Sequence, residues 1–149
     1  MVDFIRLGIF TAFALPASVY DIRTFRIPDV LTFPCFVLIL FTHLAASEHL
    51  PAFLGSALYG AVFFLIIRRI TGGLGFGDVK FAALMGLLCG FPGINAAFLI
   101  AAASGICCAL LLRLLRGNAP SVLPFAPFLS FGAAAACLLI HIEKNANFF

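Results

Sequence analysis

Two aspartates stand at the edges of long apolar runs, where a charged side chain is unexpected. Asp21 ends the first apolar run of the chain, and Asp78 follows a glycine-rich stretch at residues 72–77 and opens another run. Two carboxylates a few ångströms apart share one proton, because both cannot ionise at that separation. The ionised member can take a proton from water while the protonated member polarises a carbonyl group. This chemistry suits peptide hydrolysis, and it requires elements that bring the two residues together.

The composition indicates that those elements lie in a membrane. Hydrophobic residues make up 64% of the 149 residues and charged residues 10%, and the mean hydropathy is +1.19. An ordinary soluble domain is about 45–50% apolar and about 25% charged. This chain therefore lacks the polar residues to cover a soluble surface, and the same numbers exclude disorder. The length predicts one domain, covering residues 1–149.

Six apolar segments predict an all-α membrane protein with about six transmembrane helices. The segments cover residues 4–20, 28–46, 50–67, 79–91, 94–114 and 123–142. A spanning helix needs about 20 mostly apolar residues, so the fourth segment is short. The run lengths lack the alternation of a membrane barrel. The predicted fold is therefore a helical bundle.

Basic residues predict the orientation of this bundle. If six helices alternate, the connections on one side hold seven of the nine basic residues, namely Arg23, Arg26, Arg68, Arg69, Lys80, Arg113 and Arg116. The opposite connections, around Glu48 and Pro92, hold none. By the positive-inside rule, the basic side is cytoplasmic. We expect a multi-pass protein of the cytoplasmic membrane, with Asp21 and Asp78 at the cytoplasmic face and both termini outside. These basic residues set topology, so no nucleic-acid partner is expected.

Each aspartate also has an ordinary structural interpretation. Asp78 is suited to cap the positive N-terminus of a helix, and Asp21 is suited to pair with Arg23 or Arg26. Taken together, the two lie at one membrane face, and the glycines before Asp78 leave room for a substrate backbone. A competing hypothesis is a non-catalytic membrane protein, such as a transporter subunit or assembly scaffold, that uses the pair structurally or for ions.

Three stretches carry a resemblance to a known family. Residues 75–78 read GFGD and match the GxGD signature of intramembrane-type aspartyl proteases. Their setting, from Gly72 to Lys80, resembles the second catalytic motif of type IV prepilin peptidases. Residues 21–31, DIRTFRIPDVL, are similar to the first motif of that family, and residues 123–129, LPFAPFL, to a third recurrent segment. The three occur in order and cover the chain almost end to end.

The resemblance implies a GxGD-type aspartic endopeptidase that needs no cofactor. Asp21 and Asp78 would be the catalytic pair, and Gly75, Gly77 and Lys80 would belong to the active-site loop. The family cuts the leader peptide of prepilins at the cytoplasmic face, just before the hydrophobic stalk. The expected partners are therefore a prepilin-like substrate and the lipid bilayer, and the sequence indicates no particular oligomeric state. An inactive family member that only holds prepilins is a further alternative.

Two positions depart from the family pattern. Asp29 stands where asparagine is usual, and its added negative charge could bind a basic leader peptide. Ala126 stands where glycine is usual. Longer family members also carry an N-terminal extension with a cysteine-rich zinc site and a methyltransferase function. This chain begins directly with the first protease helix, so we expect a short form that cleaves without N-methylation, similar to the short peptidases of Flp/Tad-type systems or to stand-alone archaeal-like peptidases.

Other kinds of site find little support in the sequence. The cysteines lie in apolar runs without a CxxC pair and are interpreted as small apolar side chains; they are Cys35, Cys89, Cys107, Cys108 and Cys137. His43, His49 and His141 are scattered at predicted outer ends, so no metal site is predicted. Ser56 and Ser104 have no histidine at matching depth, which disfavours a serine protease.

Overall fold

The computed structural model describes residues 2–46, 49–116 and 123–146, and within these ranges every regular element is an α-helix. The helices are α1 (Val2–Thr24), α2 (Asp29–Ala45), α3 (Leu50–Thr71), α4 (Phe76–Arg116) and α5 (Ala126–Ala146). The prediction of an all-α protein is confirmed. Glu48, which contributed to the predicted orientation, lies outside the described residues.

The helices have the length and surface of membrane spans. Helices α1, α3, α4 and α5 are long and apolar enough to cross a bilayer, and α2 is a shorter apolar helix. Large apolar side chains are exposed on the outside of the bundle, among them Val30, Ile70 and Leu114. In water such a surface would be unfavourable, whereas lipid tails solvate it. The chain is a multi-pass membrane protein.

The expected number of about six helices is slightly off, because the described residues form five helical elements, one of which has two arms. The predicted segments 79–91 and 94–114 both lie in α4, whose backbone leaves helical geometry at Gly90 and Phe91. Gly90 has a φ of 60°, a conformation that favours glycine, and a Cβ there would lie 2.9 Å from the Phe53 ring. Apolar composition marks both arms of α4 but does not show whether a loop or a break joins them.

The chain reverses direction at this break, as contacts along α5 demonstrate. Gly105, in the second arm of α4, faces Phe125 just before α5 begins, whereas Gly93 approaches Ile140 near the other end of α5. The first arm ends beside the same far part of α5, where Cys89 contacts Cys137. The two arms of α4 are therefore antiparallel, and both ends of the element return toward the start of α5.

The first arm of α4 is the centre of the bundle and positions the site. Its side chains are almost all buried, including Phe81, Leu84 and Met85. Gly86 approaches the backbone of Ser56 in α3 so closely that a Cβ would not fit there. Small residues at such contacts let helices pack backbone to backbone. This packing fixes the N-terminus of α4, which carries Asp78.

Candidate active site

Five helix ends meet at one end of the bundle. They are the C-terminal ends of α1 and α3 and the N-terminal ends of α2, α4 and α5. Asp21 lies near the end of α1 and Asp78 in the first turn of α4, and both are buried, with exposed fractions of 5% and 8%. Both line the same two cavities, of about 230 and 470 Å³. The structure thus brings together the two aspartates that the sequence singled out.

Asp78 caps the helix that carries it. The backbone N–H of Gly75 donates a hydrogen bond of 3.0 Å to Oδ2 of Asp78. Gly75 immediately precedes α4, so this is the bond of a capping box, in which the third helical residue reaches back to the cap. The structural interpretation of Asp78 is therefore correct, and it is compatible with a chemical role because Oδ1 takes no part in this bond.

Asp21 is held by a different helix. The backbone N–H of Ala126 donates a hydrogen bond of 3.0 Å to Oδ2 of Asp21, in a buried position. Ala126 is the first residue of α5, where backbone N–H groups have no partner within the helix. Within the described part of the chain, the Asp21 carboxylate contacts this N–H and neither Arg23 nor Arg26. Each aspartate is thus fixed by a backbone donor at a helix N-terminus, where negative charge is favoured.

Gly77 provides close packing between the first two motifs. A Cβ on Gly77 would lie 2.9 Å from the Cβ of Ile27 and 3.3 Å from the Ile27 backbone. The open side of this glycine is therefore filled by the chain itself rather than left for a substrate. Gly75 differs, because a Cβ there would meet Oδ2 of Asp78 at 3.3 Å and crowd the carboxylate.

Lys80 and Asp29 form an ion pair beside the aspartates. The Lys80 Nζ atom lies 2.7 Å from both carboxylate oxygens of Asp29, and the two side chains are 40% and 65% exposed. The same ammonium lies 5.3 Å from the centre of the Phe76 ring, and the Arg68 guanidinium lies at an equal distance from that ring. Asp29 therefore already has a cationic partner in this structure, and its charge is not freely available to a ligand.

Phe25 is a site residue that sequence reasoning missed. It lines both cavities and ends α1 with its N–H bonded to the Asp21 carbonyl at 2.8 Å. Its backbone φ is 53°, and among the described residues it is the residue other than glycine with a positive φ. A bulky residue in this conformation stores backbone strain, which often accompanies functional sites. Its position four residues after Asp21 was the available sequence signal, but sequence does not reveal a left-handed conformation.

The two cavities differ in chemical character. Beyond the residues they share, the smaller cavity is lined by apolar side chains, namely Leu74, Leu123, Pro124 and Phe125. The larger cavity is lined by four charged side chains, namely Arg26, Asp29, Arg68 and Lys80, together with Ile27, Phe76 and Gly77. The aspartates therefore stand between an apolar compartment near α5 and a charged compartment near α2.

The structure shows no candidate metal site in the part of the chain that it describes. No three His, Cys, Asp or Glu side chains lie close enough there to hold an ion. His49 and His141 line a third cavity together with Asp3, away from the two aspartates. His43 contacts the Leu87 carbonyl at 2.9 Å inside the bundle.

Comparisons with known proteins point to one family. The chain is 32% identical over 139 residues to the prepilin leader peptidase/N-methyltransferase of Escherichia coli strain K12, covering 85% of this chain and 60% of that protein. It is 32% identical over 136 residues to the protein of the same name from Pseudomonas aeruginosa, covering 83% of this chain and 46% of that one. A Burkholderia pseudomallei protein of that name is 33% identical over 132 residues, covering 81% and 42%.

The chain thus spans about half the length of the curated relatives it matches. No solved structure matches it significantly. A family model described as "Type IV leader peptidase family" matches residues 8–112, a range that includes Asp21, Asp29 and Asp78. Because this match covers most of the chain, the resemblance seen in the sequence motifs is confirmed: the chain belongs to the type IV leader peptidase family.

Proposed function

We propose that this chain is an aspartic endopeptidase that removes the leader peptide of a prepilin-like protein. The observation that carries the proposal is the meeting of Asp21 and Asp78, from α1 and α4, on the same two cavities. The name that the relatives share, prepilin leader peptidase/N-methyltransferase, supports the peptidase activity and the substrate class.

The reaction follows from two carboxylates that share one proton. The ionised carboxylate takes a proton from a water molecule, and the oxygen of that water forms a bond to the scissile carbonyl carbon. The protonated carboxyl donates a hydrogen bond to the carbonyl oxygen as negative charge develops there. Collapse of the tetrahedral intermediate breaks the C–N bond, and the leaving nitrogen receives a proton from the carboxyl pair. The helix N-termini at Gly75 and Ala126 keep both carboxylates in position throughout.

The charge around the site supports a location at the cytoplasmic face of the inner membrane. Arg26, Arg68 and Lys80 line the larger cavity, and Arg23 and Arg69 lie on the same helix ends. Short connections rich in Lys and Arg remain on the cytoplasmic side of bacterial membranes. The substrate bond would then lie at the same level, at the boundary between a leader in water and an apolar helix in lipid.

The two cavities suggest how such a substrate is oriented. At the cut, the substrate changes from a polar leader to an apolar stretch. The apolar cavity formed with Leu123 and Phe125 suits the first residues after the cut. The charged cavity with Arg26 and Asp29 suits the polar leader. A leader lysine would compete with Lys80 for Asp29, an exchange between exposed charges that contributes only about 0.2–1 kcal/mol.

The test is a cleavage assay with the full chain in lipid bilayers and a prepilin-like substrate. We expect a cut directly before the apolar stretch, after a small residue such as Gly or Ala, because Gly75 and Gly77 provide no side chains that would form a deep pocket. A bulky residue at that position should block processing, whereas loss of one leader lysine should only slow it. Binding without cleavage would favour the non-catalytic alternative. Inhibition by a zinc chelator, reversed by zinc, would favour a metalloprotease.

A further inference from the structure

A pair of thiols lies at the other end of the bundle, away from the two aspartates. Cys89, at the end of the first arm of α4, and Cys137, in α5, place their Sγ atoms 3.4 Å apart. Cys89 is buried and also lies 3.8 Å from the Ala133 carbonyl oxygen, whereas Cys137 is partly exposed. The sequence interpretation of these cysteines as small apolar side chains does not account for two thiols in direct contact.

The two helices are packed closely enough for a bond between these side chains. After the break in α4, Gly93 lies against the end of the Ile140 side chain, and Gly132 approaches the Ala97 carbonyl so closely that a Cβ would not fit there. A disulfide needs an S–S distance of about 2.05 Å, so the sulfurs must approach by only about 1.4 Å. Side-chain rotation and small helix movements are sufficient for a change of that size.

The pair is accessible to a reagent. Both sulfur-bearing residues line a cavity of about 330 Å³, whose other lining residues include Arg6, His49 and Lys144. These three residues lie near helix ends, so the cavity has a polar side toward the end of the bundle opposite the two aspartates. A small molecule can therefore reach Cys137 first, since Cys89 lies behind it.

We propose that Cys89 and Cys137 form a reversible disulfide by exchange with a small disulfide compound. The Cys137 thiol loses its proton and attacks one sulfur of the compound, forming a mixed disulfide and releasing one thiol. The Cys89 thiolate then attacks Sγ of Cys137, forming the protein disulfide and releasing a second thiol. The protein loses two electrons and two protons, and the compound gains them.

This bond would join the two helices that hold the aspartates. Asp78 lies at the start of α4, and Ala126, which donates to Asp21, lies at the start of α5. A covalent link between the end of the first arm of α4 and the middle of α5 would limit separation of these two helices. The inference is independent of the proposed peptidase activity, because it depends only on the contact between the two thiols.

The experiment uses oxidised glutathione with the full chain in detergent, followed by alkylation under denaturing conditions and peptide mapping. We expect a cross-linked peptide containing Cys89 and Cys137, a mass loss of about 2 Da, and full reversal by dithiothreitol. Replacement of Cys107 and Cys108 by serine removes an adjacent pair of thiols that could react separately. The Cys35→Ser variant is the matched control and should still form the cross-link between Cys89 and Cys137.

Single variants test the order of the two steps. In Cys89→Ser the mixed disulfide of Cys137 with glutathione should accumulate, because the thiol that resolves it is absent. In Cys137→Ser the buried Cys89 should stay alkylatable. Failure of the wild-type chain to give the Cys89–Cys137 peptide, or stable glutathionylation of Cys137 in the wild-type chain, would overturn the proposal. Since both of these readouts use the unmodified sequence, they do not depend on the folding of any variant.

Discussion

The backbone N–H of Ala126 donates a hydrogen bond of 3.0 Å to Oδ2 of Asp21, joining residues 105 positions apart in the sequence. It fixes the first aspartate with the N-terminus of α5 and gives the stretch at 123–129 a physical role. The family match ends at residue 112, so this donor lies outside the matched range. The side chain of Ala126 is buried and contributes no polar atom, so the backbone is what matters there.

The first prediction concerns the carboxylate pair. Asp21→Asn and Asp78→Asn should each lower leader cleavage by about 10²–10⁴-fold, because neither amide can serve as the acid or base. Cleavage rates of the reconstituted variants would measure this. Asp3→Asn, at the far end of the bundle, is the matched control and should cleave normally. Undiminished cleavage by either site variant, with correct insertion, would refute the pair as the catalytic group.

The second prediction concerns the donor at α5. Ala126→Pro removes the N–H that holds Asp21, at a first helical position where proline is otherwise tolerated. A hydrogen bond to a charged group contributes about 1.5–3 kcal/mol, so we expect kcat to fall about tenfold or more. Ala126→Val adds comparable bulk but keeps the N–H, and Ala126→Gly keeps it without bulk. Equal losses in the proline and valine variants would show that packing, and not the donor, is responsible.

Sequence reasoning found the aspartates because charge is costly at the edge of an apolar run. The sequence did not indicate which groups donate hydrogen bonds to these aspartates, because a backbone N–H such as that of Ala126 has no side-chain signature. It also left the pairing of Asp29 with Lys80 unseen, because two residues 51 apart meet only when the ends of α2 and α4 are placed together. The reversal at Gly90 and Phe91 lies next to Pro92, where the sequence placed a connection between two segments, but the sequence did not indicate that the two arms join without a loop.

The third prediction concerns Gly77. Gly77→Ala would force a Cβ to within 2.9 Å of Ile27, displacing the loop that follows Asp21. Such overpacking costs about 1–3 kcal/mol, so both thermal stability in detergent and cleavage should fall. Gly55→Ala is the control, because nothing lies within 4 Å of a Cβ at that position in α3. A Gly77→Ala variant with unchanged melting temperature and rate would contradict this close contact.

The fourth prediction concerns the ion pair of Asp29 and Lys80. Both groups are substantially exposed, so a double-mutant cycle with Asp29→Asn and Lys80→Met should give a coupling of about 0.2–1 kcal/mol in unfolding free energy. High salt should reduce that coupling. Asp29→Asn should cleave nearly as well as the parent chain. A coupling that is insensitive to salt, or a large loss of activity in Asp29→Asn, would mean that this pair does more than link α2 to α4.

The fifth prediction concerns the orientation of the bound substrate relative to Asp21 and Asp78. A benzophenone side chain placed directly after the scissile bond should cross-link to residues 123–125, because the apolar cavity lies there. The same group placed in the leader should cross-link to residues 26–29 in the charged cavity. The Asp78→Asn variant keeps the substrate intact during irradiation, and a substrate without its apolar stretch is the control for non-specific labelling. Reversed labelling would show that the leader occupies the apolar cavity. Failure of the parent chain to cleave the substrate would instead challenge the proposed peptidase activity. The position of the label therefore tests the substrate orientation, and cleavage by the parent chain tests the activity.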